Sequence, residues 1–185
     1  MRTLYAFNMM TLDGFFSGPS GEIDWHNVDA EFGRFAEEQL AQTGILVFGR
    51  RTYELMAGYW TTKETIEGDP GTAGPMNDME KIVVSTTLRE ADWQNTRVVS
   101  GAVVEELSRL KQAEGKDIAI FGSAELLAAL QPAGVIDELR IMVNPVVLGG
   151  GVPLFKEEAG RLALKLEKSR QFKSGNVLLT YSTKA

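Results

Sequence analysis

Three short apolar runs, each followed by glycine or small polar residues, most strongly limit how this chain can fold. They occupy residues 45–48, 82–84 and 118–121, and none of them alternates between apolar and polar residues. A strand without alternation is covered on both faces, as in a parallel sheet with helices on either side. Parallel neighbours also need long crossover connections, which are usually helices. The sequence therefore predicts an α/β protein.

Helical periodicity supplies these crossovers. Ahead of the first run, apolar residues recur three or four positions apart, which predicts a helix over 28–42 that ends near Gly44. A second helix is predicted over 50–58, and two more follow later in the chain. The stretch 61–78 is rich in glycine, proline, threonine and charged residues, so we expect a loop there.

The two ends of the chain predict the remaining strands. Residues 4–10 form an apolar run, and residues 136–147, 162–172 and 177–181 are typical of strands with hairpin-type connections. Crossovers early and hairpins late indicate three layers, with helices on both faces of a mixed, mainly parallel sheet and an antiparallel C-terminal edge. The chain of 185 residues has the length of a single domain, 1–185.

Composition excludes several classes of function. There are 25 acidic and 19 basic residues, and the net charge of −6 opposes binding to nucleic acid or to anionic membranes. The chain has no cysteine and one histidine, His26, so a thiol nucleophile and a histidine- or cysteine-based metal site are excluded, and no metal is expected. No signal-peptide pattern is present, and no apolar run reaches the ~18 residues of a membrane span, which favours a cytoplasmic location.

Glycine, hydroxyl and arginine residues follow the three apolar runs, in segments 49–52, 85–86 and 122–124. The carboxyl ends of parallel strands meet at one edge of a sheet, where ligands bind in a crevice and helices begin. Glycine lets a ligand approach the backbone, N–H groups at a helix start bind phosphate, and arginine binds phosphate through two hydrogen bonds. The sequence therefore predicts one crevice that cradles a dinucleotide.

Several blocks, in order along the chain, resemble one family. They are residues 10–14, 23–25, 47–54, 79–88, 120–126, 137–140 and 145–155. The chain resembles the dihydrofolate reductase-like superfamily, and within it the C-terminal reductase domain of the bacterial riboflavin biosynthesis deaminase-reductase and its stand-alone relatives. The resemblance implies a dihydrofolate reductase-like fold without the deaminase domain, whose zinc ligands cannot be supplied by a chain that lacks cysteine.

The resemblance also implies an NADPH-dependent reductase that transfers a hydride to a ring bound in a cleft. By matching position, the start of the second helix would hold the adenosine-side phosphates, including the 2′-phosphate. Residues 85–86 would lie beside the adenosine, residues 122–124 would hold the pyrophosphate, and Met9 and Phe16 would flank the nicotinamide. The cofactor-binding residues implied in this way are Met9, Phe16, Gly49, Arg50, Arg51, Thr52, Ser85, Thr86, Gly122, Ser123, Ala124 and Glu125.

The substrate side follows from the same resemblance. The residues that would border the substrate are Asn8, Asp13 and Trp25, and the loop 17–25 would act as a lid. Dihydrofolate reductases carry an acid five residues after a tryptophan, and that position is Ala30 here. The neighbouring acids Asp29 and Glu31 are therefore the candidates for assisting protonation, while a surface role that stabilises the helix dipole is the alternative.

These observations predict one function and leave two alternatives. The predicted function is NADPH-dependent reduction of a small pyrimidine- or pteridine-related substrate, of the 5-amino-6-(5-phosphoribosylamino)uracil reductase type. A dihydrofolate reductase proper and a nucleotide-binding module without catalysis are the alternatives. The apolar strands 139–147 and 177–181 need cover, and the resemblance implies association through this part of the chain, so we expect a homodimer. His26 is expected to be partly exposed and inert.

Overall fold

A computed structural model describes residues 1–184 and places an eight-stranded sheet at the centre of the protein. A separate pair of short strands lies beside this sheet. The ten strands are β1 Leu4–Thr11, β2 Phe15–Ser17, β3 Thr43–Gly49, β4 Glu80–Val84, β5 Thr96–Val99, β6 Asp117–Phe121, β7 Glu138–Asn144, β8 Val152–Pro153, β9 Lys165–Gln171 and β10 Val177–Ser182. All three apolar runs from which the sheet was predicted are strands.

The strand order is β5-β4-β3-β6-β1-β7-β10-β9, while β2 pairs with β8. The strands from β5 to β7 pair in parallel, and β10 pairs antiparallel with both β7 and β9. The prediction of a mixed, mainly parallel sheet with an antiparallel C-terminal edge is therefore confirmed. Helices provide most of the crossovers, because parallel neighbours cannot be joined by tight turns.

Six helices connect the strands. They are α1 Ala30–Ala41, α2 Arg50–Trp60, α3 Lys63–Gly68, α4 Pro70–Asp78, α5 Val103–Gln112 and α6 Ala124–Leu130, with short 3-10 turns at Gln131–Ala133 and Glu157–Ala159. No helix within residues 1–184 has the length and apolar character needed to cross a membrane.

The prediction of a loop over 61–78 is wrong, because α3 and α4 occupy most of it. Local capping explains the error. The Thr62 side chain accepts a hydrogen bond from the Thr65 N–H, and the Asp69 side chain accepts one from the Thr72 N–H. Pro70 sits in the first turn of α4, where its missing N–H costs nothing. These caps start two short helices in a composition that is otherwise typical of a loop.

The boundary between the first helix and its strand also differs from the prediction. α1 begins at Ala30, with Asp29 as its N-cap, and it ends at Ala41. Gly44, predicted as the helix end, lies inside β3. Thr43 starts this strand because its buried hydroxyl bonds to the Gln39 carbonyl at 2.9 Å and pairs with the Tyr5 hydroxyl at 2.7 Å. The long-range contact with Tyr5 outweighs the local glycine signal.

The helices cover both faces of the sheet. On one face, called the α1 face, Leu40 of α1, Tyr53 of α2 and Met76 of α4 pack together with strand residues. On the opposite face, called the α6 face, Leu107 of α5 and Leu127 of α6 are part of a second core cluster. Successive residues of β1 alternate between the two: Leu4 and Ala6 belong to the α6 face, whereas Tyr5 belongs to the α1 face.

Asp137, just before β7, joins three distant parts of the chain. Its carboxylate accepts hydrogen bonds from the Leu4 N–H at 3.0 Å and from the Lys184 ammonium at 2.6 Å, and it lies 2.7 Å from the Lys111 ammonium. Burial acts to raise the pKa of Asp137, but these partners outweigh it and hold the pKa below its ordinary value of 3.8. The charged form of Asp137 therefore stabilises the start of β1, the end of α5 and the C-terminal segment together.

We expect Asp137→Asn to lower the free energy of unfolding at neutral pH by about 1–3 kcal/mol, the scale of hydrogen bonds to a charged group. Because the folded-state pKa is depressed, this contribution is present above the ordinary pKa of 3.8 and is lost as the pH falls through the folded-state value. Urea unfolding from neutral to acid pH should show the variant and the parent protein converging. Asp92→Asn, at an exposed carboxylate, is the control; an Asp137→Asn deficit that does not shrink in acid would contradict the prediction.

Candidate active site

The sheet topology indicates a ligand crevice between β1 and β6, at the carboxyl ends of the parallel strands. Pairing of β1 with β6 stops at Phe7 opposite Phe121, whereas pairing of β1 with β7 continues to Thr11 opposite Asn144. The crossover from β1 to β3 runs through α1 on the α1 face, whereas the crossover from β6 to β7 runs through α6 on the α6 face. Neighbouring strands whose connections leave to opposite faces create the crevice in which α/β proteins bind ligands.

Two glycines bring the predicted strand ends into contact. A Cβ atom on Gly122 would lie only 2.9 Å from the Thr52 Oγ1 and 3.2 Å from the Phe16 ring, and the φ of Gly122 is +59°. A Cβ atom on Gly49 would lie 2.7 Å from the Ser123 Oγ. At Gly122 the positive φ and the close Thr52 side chain favour glycine, whereas at Gly49 a Cβ atom would require the Ser123 hydroxyl to move. The structure thus brings together the ends of β3 and β6, the start of α2, and β2.

The start of α2 has the chemistry of an anion site. Gly49 is its N-cap residue and provides no side-chain cap for the first N–H groups of this helix of 11 residues. Arg50 and Arg51 are both exposed, and the Arg50 Nε lies 3.8 Å from the Glu54 carboxylate. Thr52 points inward and is buried against Gly122. Unpaired N–H groups, the helix dipole and two guanidinium groups together suit a phosphate.

Ser85 and Thr86 follow β4 at the same edge of the sheet. The buried Ser85 hydroxyl oxygen accepts hydrogen bonds from the Thr87 N–H at 3.1 Å and from the Leu88 N–H at 2.9 Å. The Ser85 hydroxyl thereby stabilises the turn after β4. The side chain of the next residue, Thr86, is exposed. Of the pair, Thr86 is the side chain that a ligand above this edge can reach without breaking a turn.

Of the three predicted residues at the start of α6, only Ser123 lies at the crevice, whereas Ala124 and Glu125 have other contacts. The Ser123 hydroxyl lies beside Gly49 and accepts a hydrogen bond from the Leu126 N–H at 3.3 Å, so it caps α6. Ala124 is buried in the core of the α6 face. Glu125 is exposed and forms an ion pair with Lys156, which ties α6 to the segment after β8. The predicted cofactor role of Ala124 can therefore involve only its backbone.

The end of β1 carries the two predicted residues nearest to the crevice. Asn8 is 2% exposed, and neither its amide nitrogen nor its amide oxygen has a hydrogen-bond partner within residues 1–184. Leaving such a buried group unpaired costs about 1–3 kcal/mol. Met9 points to the α1 face and packs in a cluster with Phe35 and Met142. At the end of β1, Asn8 thus provides a polar side chain and Met9 provides an apolar one.

Asp13 fastens the turn after β1 to the loop after β7. Its carboxylate accepts hydrogen bonds from the Thr11 hydroxyl at 2.6 Å and from the N–H groups of Leu148 at 3.2 Å and Gly149 at 2.8 Å. The bond from Thr11, followed by those from Gly149 and Leu148, lowers the pKa of Asp13 below its ordinary value. The predicted substrate-bordering residue is therefore a carboxylate that shapes the rim of the crevice.

Trp25 and His26 lie half-buried in the loop before α1, with ring centroids 4.5 Å apart. Among the described residues, neither the Trp25 Nε1 nor the His26 Nε2 has a hydrogen-bond partner, although both atoms are buried. Burial lowers the pKa of His26 to about 4, so its imidazole is neutral at neutral pH. A neutral imidazole offers a hydrogen bond but no ready acidic proton.

The two candidate acids at the start of α1 have structural partners. Asp29 caps the helix, because its Oδ1 accepts the N–H groups of Glu31 at 2.9 Å and Phe32 at 2.8 Å. Glu31 accepts the Lys173 N–H at 2.9 Å and lies 3.8 Å from Arg170. Each carboxylate therefore holds α1 in place, and their proposed role in protonation stays a prediction.

Three asparagines that the sequence analysis did not single out anchor the loop before α1. The Asn27 N–H donates to the Asn144 Oδ1 at 3.0 Å, and the Asn176 amide donates to the Asn27 carbonyl at 2.7 Å. The Asn27 amide donates in turn to the Ser174 carbonyl at 2.9 Å. These residues are far apart in sequence, and no spacing rule connects them. Their contacts position Trp25 and His26 beside the ends of β1 and β7.

Comparison with known proteins places the chain in a family. The family model for the RibD C-terminal domain matches residues 2–178. The chain belongs to the RibD C-terminal domain family. The uncharacterized protein YyaP of Bacillus subtilis (strain 168) is 34% identical over 172 residues, which cover 93% of this chain and 90% of YyaP. The resemblance recognised in the sequence is confirmed.

Two solved structures have the same fold as this RibD C-terminal domain. One is the Thermotoga maritima diaminohydroxyphosphoribosylaminopyrimidine deaminase/5-amino-6-(5-phosphoribosylamino)uracil reductase, with a TM-score of 0.70 and 13% identity over 98% of this chain and 56% of that one. The other is Enterococcus faecalis dihydrofolate reductase complexed with NADP(H), with a TM-score of 0.64 and 18% identity over 97% and 95% of the two chains. The predicted dihydrofolate reductase-like fold is confirmed.

In this RibD C-terminal domain, two substitutions of Asp29 separate its role as the N-cap of α1 from its predicted role in protonation. Asparagine is as good an N-cap as aspartate, whereas alanine cannot cap. We expect Asp29→Ala to lower the free energy of unfolding by about 1 kcal/mol and Asp29→Asn to leave it nearly unchanged. Urea unfolding measures both, and equal losses for the two variants would contradict a capping role.

The turnover of the amide variants Asp29→Asn and Glu31→Gln tests the prediction that a carboxylate assists protonation. If it does, Asp29→Asn or Glu31→Gln should lower turnover and shift its pH profile without changing cofactor affinity. Unchanged turnover and pH profile in both amide variants would remove these carboxylates from the mechanism.

Proposed function

We propose that this protein is an NADPH-dependent reductase that reduces a small pyrimidine- or pteridine-related ring. The single observation that carries the proposal is the meeting of Gly49, Thr52, Gly122 and Ser123 at the carboxyl edge of a parallel sheet. Membership of the RibD C-terminal domain family supports the reductase class. The name of the Thermotoga relative, a uracil reductase, supports the substrate class.

The residues present fit a nicotinamide dinucleotide. The glycines at 49 and 122 let the Ser123 and Thr52 side chains pack against the backbone, and the exposed guanidinium groups of Arg50 and Arg51 stand at the start of α2. In this proposal Arg50, Arg51 and Thr52 hold the adenosine-side phosphates, with Ser85 and Thr86 beside the adenosine. The backbone of residues 122–125 faces the pyrophosphate.

When bound, NADPH supplies the hydride. The chain's own residues position the two rings and keep water away from them. Phe16, whose ring lies against Gly122, and Met9 form apolar walls beside the nicotinamide. Trp25 brings a buried, unpaired N–H to the substrate side, and Asp13 holds the rim by binding the backbone of the opposite loop. The segment 17–25 is the proposed lid.

The proposal has two competitors. Dihydrofolate reductase activity proper is favoured by the fold shared with the Enterococcus faecalis enzyme. A nucleotide-binding module without catalysis is favoured by a specific observation, since Asp29 and Glu31 both serve structural hydrogen bonds. The three functions are distinguished by measuring which substrate supports NADPH consumption. The proposed reductase consumes NADPH with the substrate of a 5-amino-6-(5-phosphoribosylamino)uracil reductase, a dihydrofolate reductase consumes it with dihydrofolate, and the module consumes it with neither. Binding of NADPH without consumption of either substrate would favour the module.

We expect Arg50→Ala to weaken NADPH binding by about 1.5–3 kcal/mol, the scale of a charged hydrogen bond, and to leave NADH binding nearly unchanged. The physical reason is that the extra 2′-phosphate is the group that needs this guanidinium. Quenching of tryptophan fluorescence by each dinucleotide measures the two affinities. Arg34→Ala, at an exposed arginine on α1, is the matched control. Equal affinity of the parent protein for NADPH and NADH would contradict the assignment.

A homodimer completes the proposal, and an apolar stripe near the sheet edge supports it. On the α6 face, Val177, Leu179 and Tyr181 of β10 lie opposite Val143, Ile141 and Leu139 of β7. The three β10 residues are only half-buried, and Leu166 of the edge strand β9, which pairs with Tyr181, is 52% exposed. A second copy of the chain packed on this stripe would cover it with two-fold symmetry.

Light scattering at micromolar concentration should give about twice the chain mass of 20.3 kDa. Leu166→Lys, which places a charge at the exposed margin of the stripe on the edge strand, should shift the protein to the monomer mass. Leu55→Lys, at an equally exposed leucine on α2, should leave the mass unchanged. A parent protein at the monomer mass would reject the dimer.

A further inference from the structure

The side-chain amide of Asn8 stands out among the polar groups of the core. It is 2% exposed, and neither its nitrogen nor its oxygen has a hydrogen-bond partner within residues 1–184. The large majority of buried polar side-chain atoms in proteins are paired, so two unpaired atoms on one side chain need an explanation. The buried asparagine Asn144, by comparison, uses both ends of its amide in hydrogen bonds.

The position of Asn8 links this unpaired amide to the crevice. Asn8 is the first residue of β1 beyond the last pair with β6, which is Phe7 with Phe121. Strand alternation directs its side chain to the α6 face, together with Ala6 and Met10. Phe16 packs on that same face, and its ring lies against Gly122, the residue that follows β6. The amide therefore borders the crevice at the point where the sheet splits.

The chemistry of a carboxamide restricts what can satisfy it. An amide side chain presents two N–H donors and one carbonyl acceptor in a single plane. A phosphate or carboxylate would satisfy the donors and leave the oxygen unpaired, whereas an ammonium group would do the reverse. A planar group that carries a carbonyl oxygen beside an N–H satisfies both ends at once.

We propose that Asn8 is a specificity-determining residue that pairs with the amide edge of a ring ligand in the crevice. This inference rests on the proposed reductase function, in which two ligands carry such an edge. One is the carboxamide of the nicotinamide, and the other is the lactam of a pyrimidine substrate. The pairing is reciprocal in both cases: the ligand carbonyl accepts from the Asn8 amide nitrogen, and the ligand N–H donates to the Asn8 oxygen.

Binding measurements on Asn8→Leu and Asn8→Ala test the pairing. Leucine has as many side-chain non-hydrogen atoms as asparagine but no polar group, and alanine needs no extra space if leucine does not fit. Isothermal titration with NADPH and with 2′-phospho-ADP-ribose, which lacks the nicotinamide, forms the first arm. If the partner is the nicotinamide carboxamide, both variants should bind NADPH at least about tenfold more weakly and 2′-phospho-ADP-ribose with unchanged affinity.

The second arm uses pyrimidines and protein saturated with NADP⁺. The probes are 5,6-diaminouracil, which has lactam edges, and 5,6-diamino-1,3-dimethyluracil, in which methyl groups replace both lactam N–H hydrogens. If the partner is the substrate lactam, the variants should lose at least about tenfold in affinity for the diaminouracil and much less for its dimethyl derivative, which cannot donate a lactam N–H to the Asn8 oxygen. Either arm supports the proposal and identifies the source of the amide edge.

Stability of the ligand-free variants separates recognition from a structural role. Because the Asn8 amide makes no hydrogen bond within residues 1–184, Asn8→Leu should unfold at a urea concentration no lower than the parent protein. Asn144→Ala, which removes paired amide groups, should unfold earlier. A large loss of stability at Asn8, with equal weakening of all four ligands, would overturn the proposal.

Unchanged affinity for every ligand in both Asn8 variants would also overturn it while leaving the reductase assignment in place. The reverse case is distinct. A parent protein that binds no NADPH, but binds the diaminouracil in a manner that depends on Asn8, would reject the cofactor assignment and keep the pairing.

Discussion

Parallel pairing of strands that are buried on both faces is the constraint on which the rest of this structure depends. β3, β6 and β1 lie side by side in parallel register, and each is apolar on both faces. Because parallel neighbours cannot be joined by a tight turn, the connections between them are long, and most of them cross a face of the sheet through a helix. The carboxyl ends of the strands then meet at one edge, and the crevice forms between β1 and β6, where the connections leave to opposite faces.

Close packing at this edge decides what the crevice can accept. Gly49 and Gly122 let Ser123, Thr52 and Phe16 pack closely against the backbone. Around them, polar side chains hold the neighbouring loops in place by hydrogen bonds. Asp13 binds the loop after β7, and Asn144 binds the loop before α1. The acids at the start of α1 serve the same purpose. The chemistry available to a ligand is therefore concentrated in arginines, backbone N–H groups and the side chains of Asn8, Trp25 and His26, which have polar atoms without a partner within residues 1–184.

Much of this fold could be predicted from local patterns, and the errors have physical causes. The continuous apolar runs 45–48 and 118–121 predicted the buried strands, because burial on both faces leaves a signature within a few residues. The segment 61–78 was misread because composition outweighed two capping residues, Thr62 and Asp69. The Asn27–Asn144 contact had no sequence signal, since the hydrogen bond joins residues separated by 117 positions.

The sequence by itself determined the class of the fold, the excluded chemistry and the strand ends that meet at one edge of the sheet. Those features depend on short-range periodicity, on glycine placement and on the absence of cysteine, all of which are written in consecutive residues. Only the tertiary structure decided which candidate side chains are free to act. Asp29 and Glu31 have partners, whereas Asn8 has none within residues 1–184. Whether a polar group is satisfied depends on which distant residues fold against it, and that is a property of the packed chain.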